Sequence, residues 1–147
     1  ALISYWNATV GPNDVVYHLG DFANRCHPKK VRSIFHRLNG AKYLVSGNHD
    51  NRDVLSLPWA AQPVPLMEIS VDSTRLVLCH YGMRVWPHMR RGAVHLYGHS
   101  HGRLPGVGNA TDVGVDCWGY RPVGLNEIRQ RLKTNPPHQA GQDAVDA

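Results

Sequence analysis

The chain has 147 residues and a mass of 16.4 kDa, enough for one domain around a single core. Hydrophobic residues make up 42% and charged residues 18%, and its 14 Gly and 10 Pro show no repeat, which excludes collagen, coiled coil and a wholly disordered chain. The formal net charge is +5, yet the bases are spread along the chain, with only Lys29–Lys30 and Arg90–Arg91 adjacent, which favours a solvated surface or scattered contacts to an anionic substrate over a nucleic-acid stripe.

No apolar run approaches the roughly 18 residues that a membrane span needs, and no charged-then-apolar leader opens the chain. Three cysteines, Cys26, Cys79 and Cys117, form no C-x-x-C pair, which argues for a reducing compartment and an expected cytoplasmic location. The compositional signal is histidine, of which there are ten.

In chain order, residues 1–10 carry Leu2, Ile3 and Trp6 at helical spacing and read as the end of a helix. Gly11 to Asp14 is a turn, and Val15 to Leu19 is a short β-branched run that stops at Gly20-Asp21 and reads as a buried strand. Pro28 opens a helix whose apolar stripe is Val31, Ile34, Phe35 and Leu38, closed by Gly40. Lys42 to Ser46 is a second strand, ending at Gly47-Asn48-His49-Asp50. After a Pro-rich loop, Leu66 to Val71 and Arg75 to Cys79 form a hairpin around Asp72-Ser73-Thr74, and its second arm runs into His80-Tyr81-Gly82. Ala93 to Tyr97 is a strand ending at Gly98-His99-Ser100-His101-Gly102. Residues 111–116 read as one more strand, weakened by Gly114, and Leu125, Ile128 and Leu132 mark a short amphipathic helix. The expected organisation is one domain over 1–133 and a flexible tail over 134–147.

Four strands in a row thus end in polar clusters. In α/β sheets ligands bind beyond the carboxyl ends of the strands, so these endings are expected to converge. Asp21, Asn48, His80, His99 and His101 form a mixed Asp/Asn/His set, which suits Mn, Fe, Zn or a neighbour better than Mg or Ca. No thiol sits at a ligand spacing, which argues against a structural zinc site.

The ordered set of Gly20-Asp21, Gly47 to Asp50, a lone His80 and Gly98 to His101 resembles the calcineurin-like metallophosphoesterase superfamily, over roughly residues 15–120. The flanking VYHLGDF and DVGVDCWGYRPV resemble its small bacterial and phage branch. The resemblance implies an α/β fold, a four-layer α/β/β/α sandwich, and an enzyme that hydrolyses a phosphate mono- or diester with a metal-bridging hydroxide. It implies two divalent metal ions, with Mn, Fe or Zn expected. Asp21 would bridge them, Asn48, His80 and His99 would complete one site, and His101 would belong to the other. His49 would be the donor beside the leaving oxygen, with Asp50 orienting it. Such sequences also open with a D-x-H motif, and no Asp here has His two positions later. Either the sequence is N-terminally truncated or the protein lacks half of one metal site; the opening on Ala1, not Met, inside what reads as a helix makes truncation the expectation, with the fragment alone a poor catalyst.

Arg52 and Arg84 are candidate contacts to substrate phosphate. His18 and His95, inside strands, read as structural, and His27, His36 and His138 as surface residues. Trp59, Trp86 and Trp118 serve either packing or a substrate wall, and Cys79 reads as a core thiol. The expected partner is a phosphate-ester substrate, with nucleic acid left open as one and no membrane. An alternative is a non-catalytic scaffold of the same fold that binds a protein partner. A basic nucleic-acid-binding domain is a third reading, weakened by the scattered arginines.

Overall fold

The structure is a computed structural model that describes residues 2–23 and 26–138. Helix α1 (Leu2–Thr9) leads to strand β1 (Val15–His18), helix α2 (Pro28–Arg37), strand β2 (Ala41–Leu44) and a one-turn helix α3 (Arg52–Leu55). The hairpin β3 (Leu66–Val71) and β4 (Thr74–Cys79) follows, then β5 (Val94–Tyr97), β6 (Ala110–Asp112) and helix α4 (Leu125–Leu132). Each expected strand is present, with ends moved by a residue or two in all but the last. No helix among the described residues is long and apolar enough to cross a membrane.

Two sheets form. In one, β1 pairs with β2 in parallel, from Val15 opposite Ala41 to His18 opposite Leu44, and Val45 makes a further bridge to Val64. In the other the order is β3-β4-β5-β6, antiparallel across the hairpin and parallel across β4, β5 and β6. Alternation along the strands decides what each face covers. Leu76 and Leu78 of β4 and Val94 and Leu96 of β5 turn inward, meeting Val45, Tyr17 and Leu19 from the first sheet and Ile128 of α4. This apolar layer between the sheets is the central core.

The outer face of the first sheet is covered by helices. Val31 and Phe35 of α2 pack on Leu44, Val54 and Trp59. Trp6 and Val10 pack on Leu38, and Trp6 Nε1 donates to Asn39 O at 2.9 Å. The α2 stripe forms as its spacing predicts, with Pro28 in the first turn and the His27 ring accepting from Lys29 N. The outer face of the second sheet has a different cover. Val77, Tyr97 and Ala110 are overlaid by Trp86, Met89 and Ala93 from the β4–β5 connection, which carries a short 3-10 turn, Met89–Arg91. Every residue of β5 is therefore buried, as expected of a strand between parallel neighbours with both faces covered.

The segment read as a strand over 111–116 differs. β6 stops at Asp112, and a 3-10 turn occupies Val115–Cys117. The Asp112 carboxylate accepts from Gly114 N at 2.8 Å, so a side chain takes the amide that a sheet neighbour would have used. Residues 134–138, expected to begin the tail, make contacts with the domain. Asn135 Nδ2 donates to Gly108 O and Ala110 O at 3.0 and 2.9 Å, and Gly108 N donates to Pro136 O at 2.8 Å. His138, expected at the surface, lies half-buried with its ring 5.6 Å from that of Trp86. The rest of the expected tail, 139–147, lies outside the described residues.

A candidate metal centre at the strand ends

β1 and β2 run parallel, as do β4, β5 and β6, so the turns that follow β1, β2, β4 and β5 collect at the carboxyl edges of the two sheets. Asp21, His80 and His99 each aim one ligand atom into a common space, all three within 4.8 Å of one another. His80 Nε2 is 3.3 Å from Asp21 Oδ2, 3.0 Å from His99 Nδ1 and 3.0 Å from Asn48 Oδ1. Asp21, Asn48, His80 and His99, drawn from four separate turns, thus share one point. His80 is 1% exposed and His99 is open to solvent, so the cluster has a buried floor and an open mouth.

Close backbone approach makes this possible. Gly20 adopts φ +98°, and a Cβ there would stand 2.6 Å from His80 Nδ1 and 2.7 Å from the Gly47 backbone. A Cβ on Gly47 would stand 2.6 Å from Asp21 Oδ1 and 2.9 Å from His80 Nδ1. The two glycines that precede Asp21 and Asn48 let the first two turns touch each other and the His80 ring. Asp21, His99 and His101 all have φ between 51° and 60°, a left-handed backbone uncommon outside glycine, though Asp and His adopt it more readily than most residues.

Asp50 ties these turns together. Its Oδ2 accepts from Gly47 N and Asp21 N at 2.7 and 2.9 Å, and its Oδ1 accepts from Phe22 N at 2.8 Å. Asp21 Oδ1 in turn accepts from His49 N at 2.8 Å, leaving Oδ2 toward the cluster. The resemblance implies that Asp50 orients the His49 ring; the contacts its oxygens make here are with the backbone amides of Asp21, Phe22 and Gly47. His49 itself is exposed beside the cluster.

The donor set fits a divalent cation. His80 Nδ1 lies 2.7 Å from Leu19 O, which only accepts, so Nδ1 carries a proton and the neutral form of the ring presents a lone pair at Nε2. That lone pair faces a carboxylate oxygen, an amide oxygen and a second imidazole nitrogen. Converging lone pairs repel one another until a cation lies among them. Two imidazoles, a carboxylate and an amide oxygen together suit a borderline divalent ion.

His101 stands apart from this group. Its side chain is 73% exposed, and its Nδ1 lies 2.8 Å from Asp116 Oδ2. Arg52 is the exposed first residue of α3, and Arg84 is exposed in the β4–β5 connection. His18 fits its structural reading: its Nδ1 accepts from Gly20 N at 3.2 Å, and burial lowers its pKa against the opposing pull of Asp50 and Asp21. His95 does too, bonded to Val77 O and Met83 N at 3.0 and 2.9 Å. Trp59, Trp86 and Trp118 are buried, which is packing rather than a substrate wall, and Cys79 is only half-buried.

Two acidic residues escape a reading of the sequence alone. Asp112, 5% exposed, accepts from Ser100 Oγ at 2.7 Å and Gly102 N at 3.0 Å, gripping the Gly98–Gly102 turn on both sides of His101. Asp116 meets the His101 ring. β6 ends in a fifth polar cluster, which Gly114 between Asp112 and Asp116 signals. Burial, with Asp112 and Asp116 beside it, pushes the Cys117 thiol up to about 11, so it stays protonated at neutral pH.

A mixed α/β sandwich with a candidate Asp/His/His metal cluster at its strand ends defines a metallophosphoesterase-type protein. Residues 2–113 match the calcineurin-like phosphoesterase family, and the chain belongs to it. It is 42% identical over 50 residues to an uncharacterised protein of Methanocaldococcus jannaschii, a match covering 33% of this chain and 28% of that protein. A crystal structure of a protein of unknown function from Aquifex aeolicus superposes with a TM-score of 0.69, covering 88% of this chain and 82% of that one. At 22% identity that likeness is one of fold. Family membership supports a phosphoester hydrolase role in general and divalent metal binding as its usual basis.

Proposed function

We propose that the protein hydrolyses a phosphate mono- or diester with two divalent metal ions, Mn, Fe or Zn. The observation that carries this reading is the convergence of lone pairs from Asp21, Asn48, His80 and His99 on one point, within a chain of this family. These four would hold one ion. Asp21, as the shared carboxylate, and His101 would contribute to the second. Bound ions would supply Lewis acidity and lower the pKa of a water.

The chain's own residues do the rest. Asp50, through its three amides, fixes the turns that carry Asp21 and Asn48, so the ligands are in place before substrate arrives. His49, exposed beside the cluster, is the proton donor to the leaving oxygen, and its backbone amide holds the outer oxygen of Asp21. Arg52 and Arg84, exposed near the ends of site turns, are candidate contacts for the remaining phosphate charge.

The test is hydrolysis of a generic aryl phosphate monoester and diester by the protein at its full encoded length, with Mn, Fe or Zn added. Metal-dependent turnover lost in His80→Ala is the expected result. Turnover indifferent to chelation would remove the metal from the mechanism, and turnover absent with every metal while metal binds would remove the enzyme reading.

A further inference from the structure

We propose that Asp116 is a positioning residue for His101, holding its ring with the proton on Nδ1 so that Nε2 is presented as a metal ligand. This rests on the two-metal reading above and adds a residue and a tautomer to it.

Asp116 Oδ2 lies 2.8 Å from His101 Nδ1. A carboxylate accepts and does not donate, so Nδ1 carries the hydrogen, and in the neutral ring the remaining lone pair is on Nε2. A contact this exposed adds little to stability, so its consequence is orientation. His101 needs it: a ring 73% exposed would otherwise rotate freely. A carboxylate behind a ligating imidazole is a recurrent means of fixing tautomer and ring direction.

Asp116 is itself held firmly. It lies in the 3-10 turn Val115–Cys117, where Cys117 N donates to Gly114 O at 2.9 Å and Tyr120 N to Val115 O at 2.7 Å. Below the turn, Trp118 is buried, donates from Nε1 to Asp112 O at 2.9 Å and carries the Arg131 guanidinium 3.9 Å above its ring. Asp112 meanwhile grips Ser100 and Gly102, the two neighbours of His101. One short segment, 112–118, therefore fixes His101 by backbone and by ring. His80 shows the same arrangement with another acceptor, Nδ1 facing Leu19 O and Nε2 facing the cluster.

The experiment compares wild type, Asp116→Ala, Asp116→Asn and His101→Ala, each at full encoded length. Nitrogen–proton correlation spectra of the His side chains in metal-free protein report the His101 tautomer, and calorimetric titration with Mn2+ reports each binding event. Wild type should show the Nδ1–H form of His101. Asp116→Ala should lose it and weaken one Mn2+ event by about 10–100-fold, the same event that His101→Ala weakens, while the other is unchanged. Asp116→Asn, which keeps an acceptor oxygen, should lie between. An unaltered tautomer in Asp116→Ala, or Mn2+ binding unaltered there while His101→Ala weakens it, would overturn the positioning role alone. Mn2+ binding unaltered in His101→Ala as well would overturn the ligand role of His101, and the proposal with it.

Discussion

Asp50 Oδ2 accepts the backbone amide of Asp21 at 2.9 Å across 29 residues of chain. This bond joins the turn after β1 to the turn after β2, and it explains how a half-exposed pair of loops holds a carboxylate in a left-handed conformation. With the Gly47 and Phe22 amides on the same carboxylate, the Asp21 turn is locked from one side while the His80 ring closes it from the other.

Asp50→Ala should therefore cost stability as well as site geometry. Three amides lose an ionised acceptor, and hydrogen bonds to charged groups contribute about 1.5–3 kcal/mol each. Solvent reaching the half-exposed turns offsets part of that, so a loss of about 2–4 kcal/mol is expected. Urea denaturation measures it, and calorimetric Mn2+ titration of the folded variant should show weakened binding. A variant with wild-type midpoint and affinity would show that Asp50 is not the tie.

Gly47→Ala tests the close approach of the two turns. The added methyl would stand 2.6 Å from Asp21 Oδ1 and 2.9 Å from Asp21 N, both fixed by hydrogen bonds, so Asp21 must move. Metal binding should fall with it. Gly92, where a Cβ meets nothing within 4 Å but φ is +86°, is the control: Gly92→Ala strains the backbone and should leave metal binding intact.

His49→Ala separates ligand from proton donor. Turnover per bound metal should drop about 10²–10⁴-fold, the usual contribution of a general acid, with metal stoichiometry unchanged. Loss of stoichiometry with turnover per metal preserved would reassign His49 as a ligand.

Acid should destabilise the fold from near neutrality downward. His95 is 0% exposed, donates from Nδ1 to Val77 O and accepts the Met83 amide at Nε2, so its neutral form is built in, and burial lowers its pKa. His18 is likewise lowered by burial. The unfolded chain takes up these protons at about pH 6.5 and the folded one only at lower pH, so the unfolded state binds more protons in that window and stability falls as pH falls through it. Urea midpoints between pH 7.5 and 5 measure the slope. His95→Leu should flatten it while lowering stability at pH 7.5 by about 1–3 kcal/mol, the cost of leaving the Met83 amide unpaired. An unchanged slope in that variant would remove His95 from the account.

The elements and most of the cluster were legible in the sequence because their determinants are local. The α2 stripe of Val31 and Phe35 follows helical spacing, β1 follows from a short β-branched run and β5 from a short run stopped by Gly98, and strand ends rich in Asp, Asn and His point to one edge of a parallel sheet. The ordered motifs around Asp21, Asn48, His80 and His99 likewise marked the family that the match over residues 2–113 supports. Tertiary structure alone decided what touches those residues. That Asp50 serves amides 28 and 29 residues away, that Asp112 and Asp116 grip the His101 turn, and that Trp86 and Met89 of the β4–β5 connection cover the outer face of the second sheet are contacts between distant segments. Spacing along a chain carries hydrophobic period and turn chemistry. It does not carry the path of a carboxylate across a turn, which depends on where two sheets bring their ends together.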